Sequence, residues 1–320
     1  MADNETKNPV GRWLGELNIP HLLAGPAGDA ISRLVGGITD YPVAWLERAS
    51  QAVKDGTEAR KLVRNAVAQA AADAAAKDKA LVERAMQTFI ASETRKQNNK
   101  ESVAKATIEH LSAGESQETT SPKPVDSDWM NVFERHAENA SSERLQDIWG
   151  RVLAGEIRKP TTFSLRTLSF ISQLDRKTAE LFEKHSSAIL GGWIIPYSQG
   201  DDTFYSIDEL LHLEESGLLT GVGAHLSRFF GVPVPMRRLT LGKQELRLYT
   251  TQPGVKATIT GLLLTQVGRE IASILSPAPD PNIPKYVAKI ISKDGLSSIA
   301  VVRSRQDNEE ILWTNDPPTY

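Results

Sequence analysis

Residues able to do chemistry are scattered through this 320-residue chain rather than grouped. Its histidines are His21, His110, His136, His185, His212 and His225. No two have the HExxH spacing that sets a pair of imidazoles on one helix face around zinc. His136 and His185 stand beside apolar helix faces, where an imidazole is more often a satisfied structural group than a ligand. Gly221-Val222-Gly223 has neither the Walker pattern nor a strand–GxGxxG–helix context, so it is not read as a phosphate loop. No nucleophile elbow occurs. Cysteine is absent, which removes thiolate chemistry, disulfides and cysteine-based metal sites. Glu156, in AGEIRKP, is the one acid worth mutating. It closes a helix beside Arg158, where ion pairing or capping is the ordinary role and catalysis the less ordinary one. No catalytic, cofactor-binding or metal-ligating residue is assigned, and the chain is expected not to be an enzyme. Arg237, Arg238, Lys243 and Arg247 form the only local basic group, placed to contact a nucleic-acid backbone.

Composition fits a soluble protein with a real core: 40% hydrophobic, 24% charged and a formal net charge of -3. That balance gives no global basic footprint for nucleic acid. The first residues, MADNETKNP, lack a basic region followed by an apolar core. A cytoplasmic protein of about two domains is expected.

The elements that must position these residues centre on Ser141–Asp175. Ser141 or Ser142 can cap a helix whose Leu145, Ile148, Trp149, Val152, Leu153 and Ile157 recur on one stripe. Pro160 stops it. Ser164 can cap a second helix carrying Leu165, Leu168, Ile171 and Leu174. Asp175 can cap a third, with Ala179, Phe182 and Ile189 inward and Gly191-Gly192 at its end. Helices with connections this short must pack on one another.

Upstream, residues 9–46 are apolar and punctuated by Gly25, Gly28, Gly36 and Gly37. Three readings stay open for them: membrane contact, a buried or oligomer-forming helical pair, or ordering on a partner. Residues 57–113 are an alanine-rich helix candidate with a weak stripe of Leu62, Val63, Val67, Ala70, Ala74, Leu81, Ala85, Phe89 and Ile90. A helix of that length usually needs a partner, so a homo-oligomer is expected. QNNK at 97–100 is its weak point. Gly114–Asp128 is rich in Ser, Thr, Pro and Glu and reads as a linker.

Downstream, residues 193–197 read as a short strand. Ser206 with Glu209 has capping-box spacing and opens the helix IDELLHLEES. Residues 218–240 read as an irregular loop, 245–250 and 256–265 as strands, and Thr265 as the cap of a last helix. Residues 285–304 read as two strands around the Asp294-Gly295 turn. The fold class is therefore mainly α (α+β). It comprises an N-terminal helical region (1–113), a linker (114–127), a helical core with a winged-helix-like part (128–275) and a C-terminal β-hairpin (285–313).

The run SSERLQDIWGRVLAGEIRKPTTFSLRTL, from Ser141 to Leu168, resembles an uncharacterised bacterial family catalogued only as a numbered domain of unknown function. Its pattern is S-S-E-x-L-Q-x-I-W-G-x-I-L-A-G-E-I, then proline and F-S-L-R-T-L. Ser142, Trp149, Gly150, Leu153, Gly155, Glu156, Pro160 and Phe163 are among the matches. Thr161-Thr162 replaces an expected Gly-Ser. A looser likeness to helical proteins of abortive-infection systems, through a shared helix–Pro–x–Phe–helix plan, implies anti-phage defence and no chemistry. The expected function is a helical interaction or oligomerisation protein with a protein partner. The alternatives are a DNA-binding winged-helix protein, or an effector with peripheral membrane contact through residues 19–46.

Overall fold

In the computed structural model, residues 25–36, 79–113, 123–198, 204–224, 226–303 and 309–315 are described. The chain divides into two compact units, Met1–Thr162 and Phe163–Tyr320. Residues on both sides of the segment 114–127 belong to the first unit. Val63, Val67, Ala70 and Ala74 lie outside the described residues.

The first unit is helical. α1 (Pro26–Val35) has Pro26 in its first turn, where a missing N–H costs nothing, and ends at Gly36 in the left-handed region with φ 84°. It buries Ile31, Leu34 and Val35. Arg33 holds its outer side by ion-pairing with Glu134 at 2.8 Å and donating to Asn131 Oδ1 at 2.6 Å. α2 (Lys79–Ala113) runs unbroken through QNNK. The polar run does not break the helix because its side chains make tertiary bonds. Gln97 Nε2 donates to the Val35 carbonyl and buried Asn99 Nδ2 to the Glu138 carbonyl, each at 2.9 Å. Beyond that point Asn99, Val103, Thr107 and Leu111, with Ala104 and Ile108 beside them, form a buried stripe of helical period.

α3 (Ser127–Ala137) starts one residue before the expected Asp128, capped by Asp126, whose carboxylate accepts from the Asp128 and Trp129 amides. α4 (Glu143–Arg158) is capped by Ser142. Trp149, Val152, Leu153 and Ile157 are buried as expected, and Gly150, Ala154 and Glu156 join them. Trp149 packs edge-on against Phe133 at 5.5 Å, and Phe133 stacks on Trp129 at 5.1 Å. α2 and α4 cross at Gly150. A Cβ there would stand 2.6 Å from Ala106 Cβ, 2.9 Å from its carbonyl carbon and 3.0 Å from the Thr107 nitrogen. Two backbones meet with no room for a methyl group.

The second unit is α+β. Ser164 caps α5 (Leu165–Gln173) and Asp175 caps α6 (Arg176–Ser186), as the spacing predicts. α6 stops before Gly191-Gly192; those glycines take positive φ and turn the chain into β1 (Ile194–Pro196). α7 (Ile207–Glu215) follows Ser206, whose side chain makes no capping bond.

Residues 218–240, expected as a loop, carry three strands: β2 (Leu219–Thr220), β3 (Ser227–Val232) and β4 (Met236–Leu241). Their glycines and prolines mask short strands: β2 and β3 are set by pairing with the distant β6, and β4 forms a hairpin with β5. β5 (Gln244–Tyr249) and β6 (Val255–Leu264) match the expected strands but lie in different sheets. β6 pairs antiparallel with β1, β2 and β3. β5 lies between β4 and β7 (Ser298–Val302), and β7 pairs with β8 (Glu310–Thr314).

Thr265 caps α8 (Gln266–Ala272), and a Cβ on Gly268 would reach 2.0 Å from the Leu218 carbonyl. The expected first strand of the C-terminal hairpin is instead α9 (Ile283–Ile290). Its β-branched residues imitate a strand. The buried set Ile283, Tyr286, Val287 and Ile291 nevertheless has helical spacing, and Pro284 presets the first turn. The hairpin is β7–β8, joined to β5 rather than standing alone.

Helix propensity alone favours Gly150→Ala by about 1 kcal/mol. The contacts under 3.0 Å oppose it, and overpacking of this kind costs about 1–3 kcal/mol. Urea denaturation should therefore show Gly150→Ala less stable than the native chain, with Gly150→Leu worse.

Candidate functional site

Glu156 lies in the last turn of α4 and is 1% exposed. Its two carboxylate oxygens accept the Thr161 amide at 2.6 Å and the Thr162 amide at 3.1 Å. The carboxylate thus fastens the turn after Pro160 to the helix before it. Thr161 holds φ 68°, the left-handed region that a β-branched residue enters at a cost. Neighbouring Arg158 donates to the His110 carbonyl.

The described histidines are dispersed. His110 Nε2 meets Asp147 at 2.7 Å, and Asp147 also pairs with Arg151 at 2.9 Å. His136 stacks flat on Trp149 at 5.4 Å, and burial, then Arg135, pushes its pKa below the ordinary value. The Thr178 hydroxyl donates to Asp175 at 2.6 Å, which leaves its oxygen to accept from His212 Nε2 at 2.9 Å. Asp175 is lowered by these Thr178 bonds. His21 and His225 lie outside the described residues. Among the described residues no group of three or more His, Asp or Glu side chains is arranged to hold a metal ion.

The densest polar cluster centres on His185 and Glu209. His185 Nε2 is 2.8 Å from Glu209 Oε2, and Lys184 Nζ reaches the same carboxylate at 2.8 Å. Burial lowers His185 despite the carboxylate, whereas the Lys184 bond lowers Glu209. A neutral imidazole donating to an ionised carboxylate satisfies both shifts. The Tyr205 ring lies tilted 5.5 Å away, its buried hydroxyl has no partner among the described residues, and burial drives its pKa upward. A Glu–His pair could move protons, but His185 is 3% exposed and a reactant has no access to it. The Ser206/Glu209 spacing hid this pair, because Glu209 reads as a capping residue in sequence.

The basic group is brought together on the β4–β5 hairpin and largely answered by acids. Arg247 pairs with Glu245 at 2.7 Å and Glu309 at 3.4 Å, while Arg238, its cross-strand neighbour, lies 3.8 Å from Glu245. Arg237 donates to the Gly231 carbonyl, and Lys243 is exposed at the turn. Gly25 and Gly36 flank α1 as its caps, and Gly28 is buried within it. No described helix is long and apolar enough to cross a membrane.

Two further features stand out, one foreshadowed by the weak stripe that holds Phe89 and Ile90, the other invisible in the sequence. The first half of α2 exposes Met86, Phe89 and Ile90 at 53%, 63% and 56%. In the second unit, the guanidinium carbons of Arg228 and Arg269 lie 4.0 and 4.2 Å from the Trp193 ring centroid. They are thus at most about 8 Å apart, where like charges repel by about 2 kcal/mol at an effective dielectric near 20. These residues come from three elements with no shared spacing, so no motif could announce them.

Residues 83–190 match the family described as a protein of unknown function (DUF2806), about a third of the sequence. The match includes the Ser141–Leu168 run and begins inside α2, upstream of the resemblance seen in the sequence. No curated protein and no solved structure matches the chain.

Thr161→Gly should stabilise the protein by about 0.5–1 kcal/mol, because relief of the left-handed strain exceeds the added chain entropy. A raised urea midpoint with unchanged slope would show it. His136 and His185 both have lowered pKa values, so the unfolded chain binds protons first as acid is added. Stability is full above the unfolded histidine value near 6.5 and falls as pH drops below it. Thermal melts between about pH 7.5 and 5 check the sign, and Glu209 extends the loss below the ordinary carboxylate range.

Proposed function

We propose that this chain is a non-enzymatic interaction protein that self-associates through the N-terminal half of α2. The exposed side chains of that half carry the reading. One exposed apolar residue needs no explanation, but Met86, Phe89 and Ile90 form a continuous stripe on a single helix. Val82, Met86 and Phe89 follow the four-then-three spacing of a two-helix seam. A second copy presents the same stripe, so the surface can be self-complementary. The preceding Val63, Val67, Ala70 and Ala74 carry the same expectation from sequence.

The non-enzymatic reading rests on the candidate groups that are described, several of which have structural partners. Glu156 fastens a turn, His185 is sealed, and His110 and His212 are bonded to Asp147 and Thr178. The likeness to abortive-infection proteins supports a setting in anti-phage defence, and the cysteine-free composition suits a cytoplasmic one. Plating of phage on strains with the native gene and with Phe89→Glu tests that setting.

DNA binding as a winged-helix protein is the second reading. The strand order β1-β6-β2, with α7 between β1 and β2, favours it. The acidic α7, with Asp208, Glu209, Glu214 and Glu215, and the pairing of Arg247 with Glu245 and Glu309 count against it. Membrane contact through residues 19–46 is less supported, because α1 spends its apolar face inside its own unit.

Light scattering on the full-length protein should give a mass well above the 35.1 kDa of one chain. Phe89→Glu with Ile90→Glu should return it to one chain. A native protein that stays monomeric at high micromolar concentration would refute self-association.

A further inference from the structure

The Arg228–Trp193–Arg269 cluster has no role in self-association. We propose that it binds the phosphate groups of a single-stranded nucleic acid.

Charge is the first argument. Arg33, Arg176, Arg247 and Arg303 all pair with carboxylates. Arg228 and Arg269 make no salt bridge among the described residues, although they are held on one ring. Arg228 Nε is also buried with no hydrogen-bond partner. Two close cations that share one ring and have no carboxylate partner among the described residues form a site that an anion completes.

Placement is the second. Trp193 stands in the turn before β1, its amide bonded to the Leu190 carbonyl and its carbonyl accepting the Leu264 amide at 2.8 Å. Arg269 is fixed by a bond from Nη1 to the Leu264 carbonyl at 3.0 Å. The backbone of β1 and β6 therefore sets the ring and one guanidinium before any ligand arrives. Trp193 remains 39% exposed, so the site opens to solvent.

The ligand class follows from the chemistry. Guanidinium forks match phosphate oxygens two by two, and both guanidinium and indole planes stack on bases. A carboxylate peptide would answer the charge and leave the planar surfaces unused. A duplex hides its base faces, and the acidic α7 is unsuited to a groove. An unpaired strand presents phosphate and base together.

The test is fluorescence anisotropy with fluorescein-labelled oligothymidylate of about 12 nucleotides, full-length protein and low salt. The expected result is salt-sensitive binding that Arg228→Gln or Arg269→Gln weakens at least about tenfold, with the salt slope reduced by roughly one each. Replacing Arg237, Arg238, Lys243 and Arg247 together by Gln should weaken it less than either single change. If a glutamine variant fails to fold, quenching of tryptophan emission by unlabelled oligonucleotide replaces it, and Trp193→Phe should abolish most of that quenching. No binding at low salt, equal affinity in the arginine variants, or quenching untouched by Trp193→Phe would overturn the site. Tighter binding of duplex or of inorganic phosphate than of the single strand would overturn the ligand.

Discussion

The first unit depends on the close crossing of α2 and α4 at Gly150. Only a residue without a Cβ lets the α4 backbone lie against Ala106 and Thr107. That approach sets the depth at which every α4 neighbour sits. Trp149, the residue before it, can then reach between Phe133 and His136 of α3. Further along, Glu156 is carried inward far enough for its carboxylate to accept two amides from the turn after Pro160. A helix pair one methyl group further apart would loosen both the aromatic stack and the turn. The Ser141–Leu168 run therefore reads as a packing and termination signal from end to end.

Much of this was legible in the chain. Ser142, Ser164, Asp175 and Thr265 cap the helices that their spacing announces, because capping is a local interaction between a side chain and an amide two or three residues away. The burial of Trp149, Val152, Leu153 and Ile157 followed from helical period alone. Non-local partners were what the sequence concealed. QNNK looked like a break because its bonds go to Val35 and Glu138. Residues 218–240 looked like a loop because β2 and β3 find their partner in the distant β6, while the glycines and prolines of the stretch hid the local β4–β5 hairpin. α9 looked like a strand because Ile, Val and Tyr suit either state until the buried face is known.

The candidate sites divide along the same line. Glu156 and the basic group Arg237, Arg238, Lys243 and Arg247 were visible, and the structure gives Glu156 a fastening role and Arg247 acidic partners. His185 with Glu209, and Trp193 with Arg228 and Arg269, are brought together by folding from distant positions. What distinguishes the last group is that no acid among the described residues answers its charge. What distinguishes α2 is the lack of burial over its first turns, while its second half buries one face. Both are unmet requirements of ordinary physical chemistry, and neither is an arrangement for bond making.

The central claim, that the exposed stripe of α2 meets a second copy of itself, has a direct measurement because the native chain contains no cysteine. Phe89→Cys places one thiol in the seam, and Gln87→Cys places one about 200° around the same helix. Mild oxidation followed by denaturing electrophoresis without reductant reads the contact. The account predicts a disulfide-linked dimer from the Phe89→Cys protein and a monomer from the Gln87→Cys protein. A monomer from both, or equal cross-linking of the two, would contradict it.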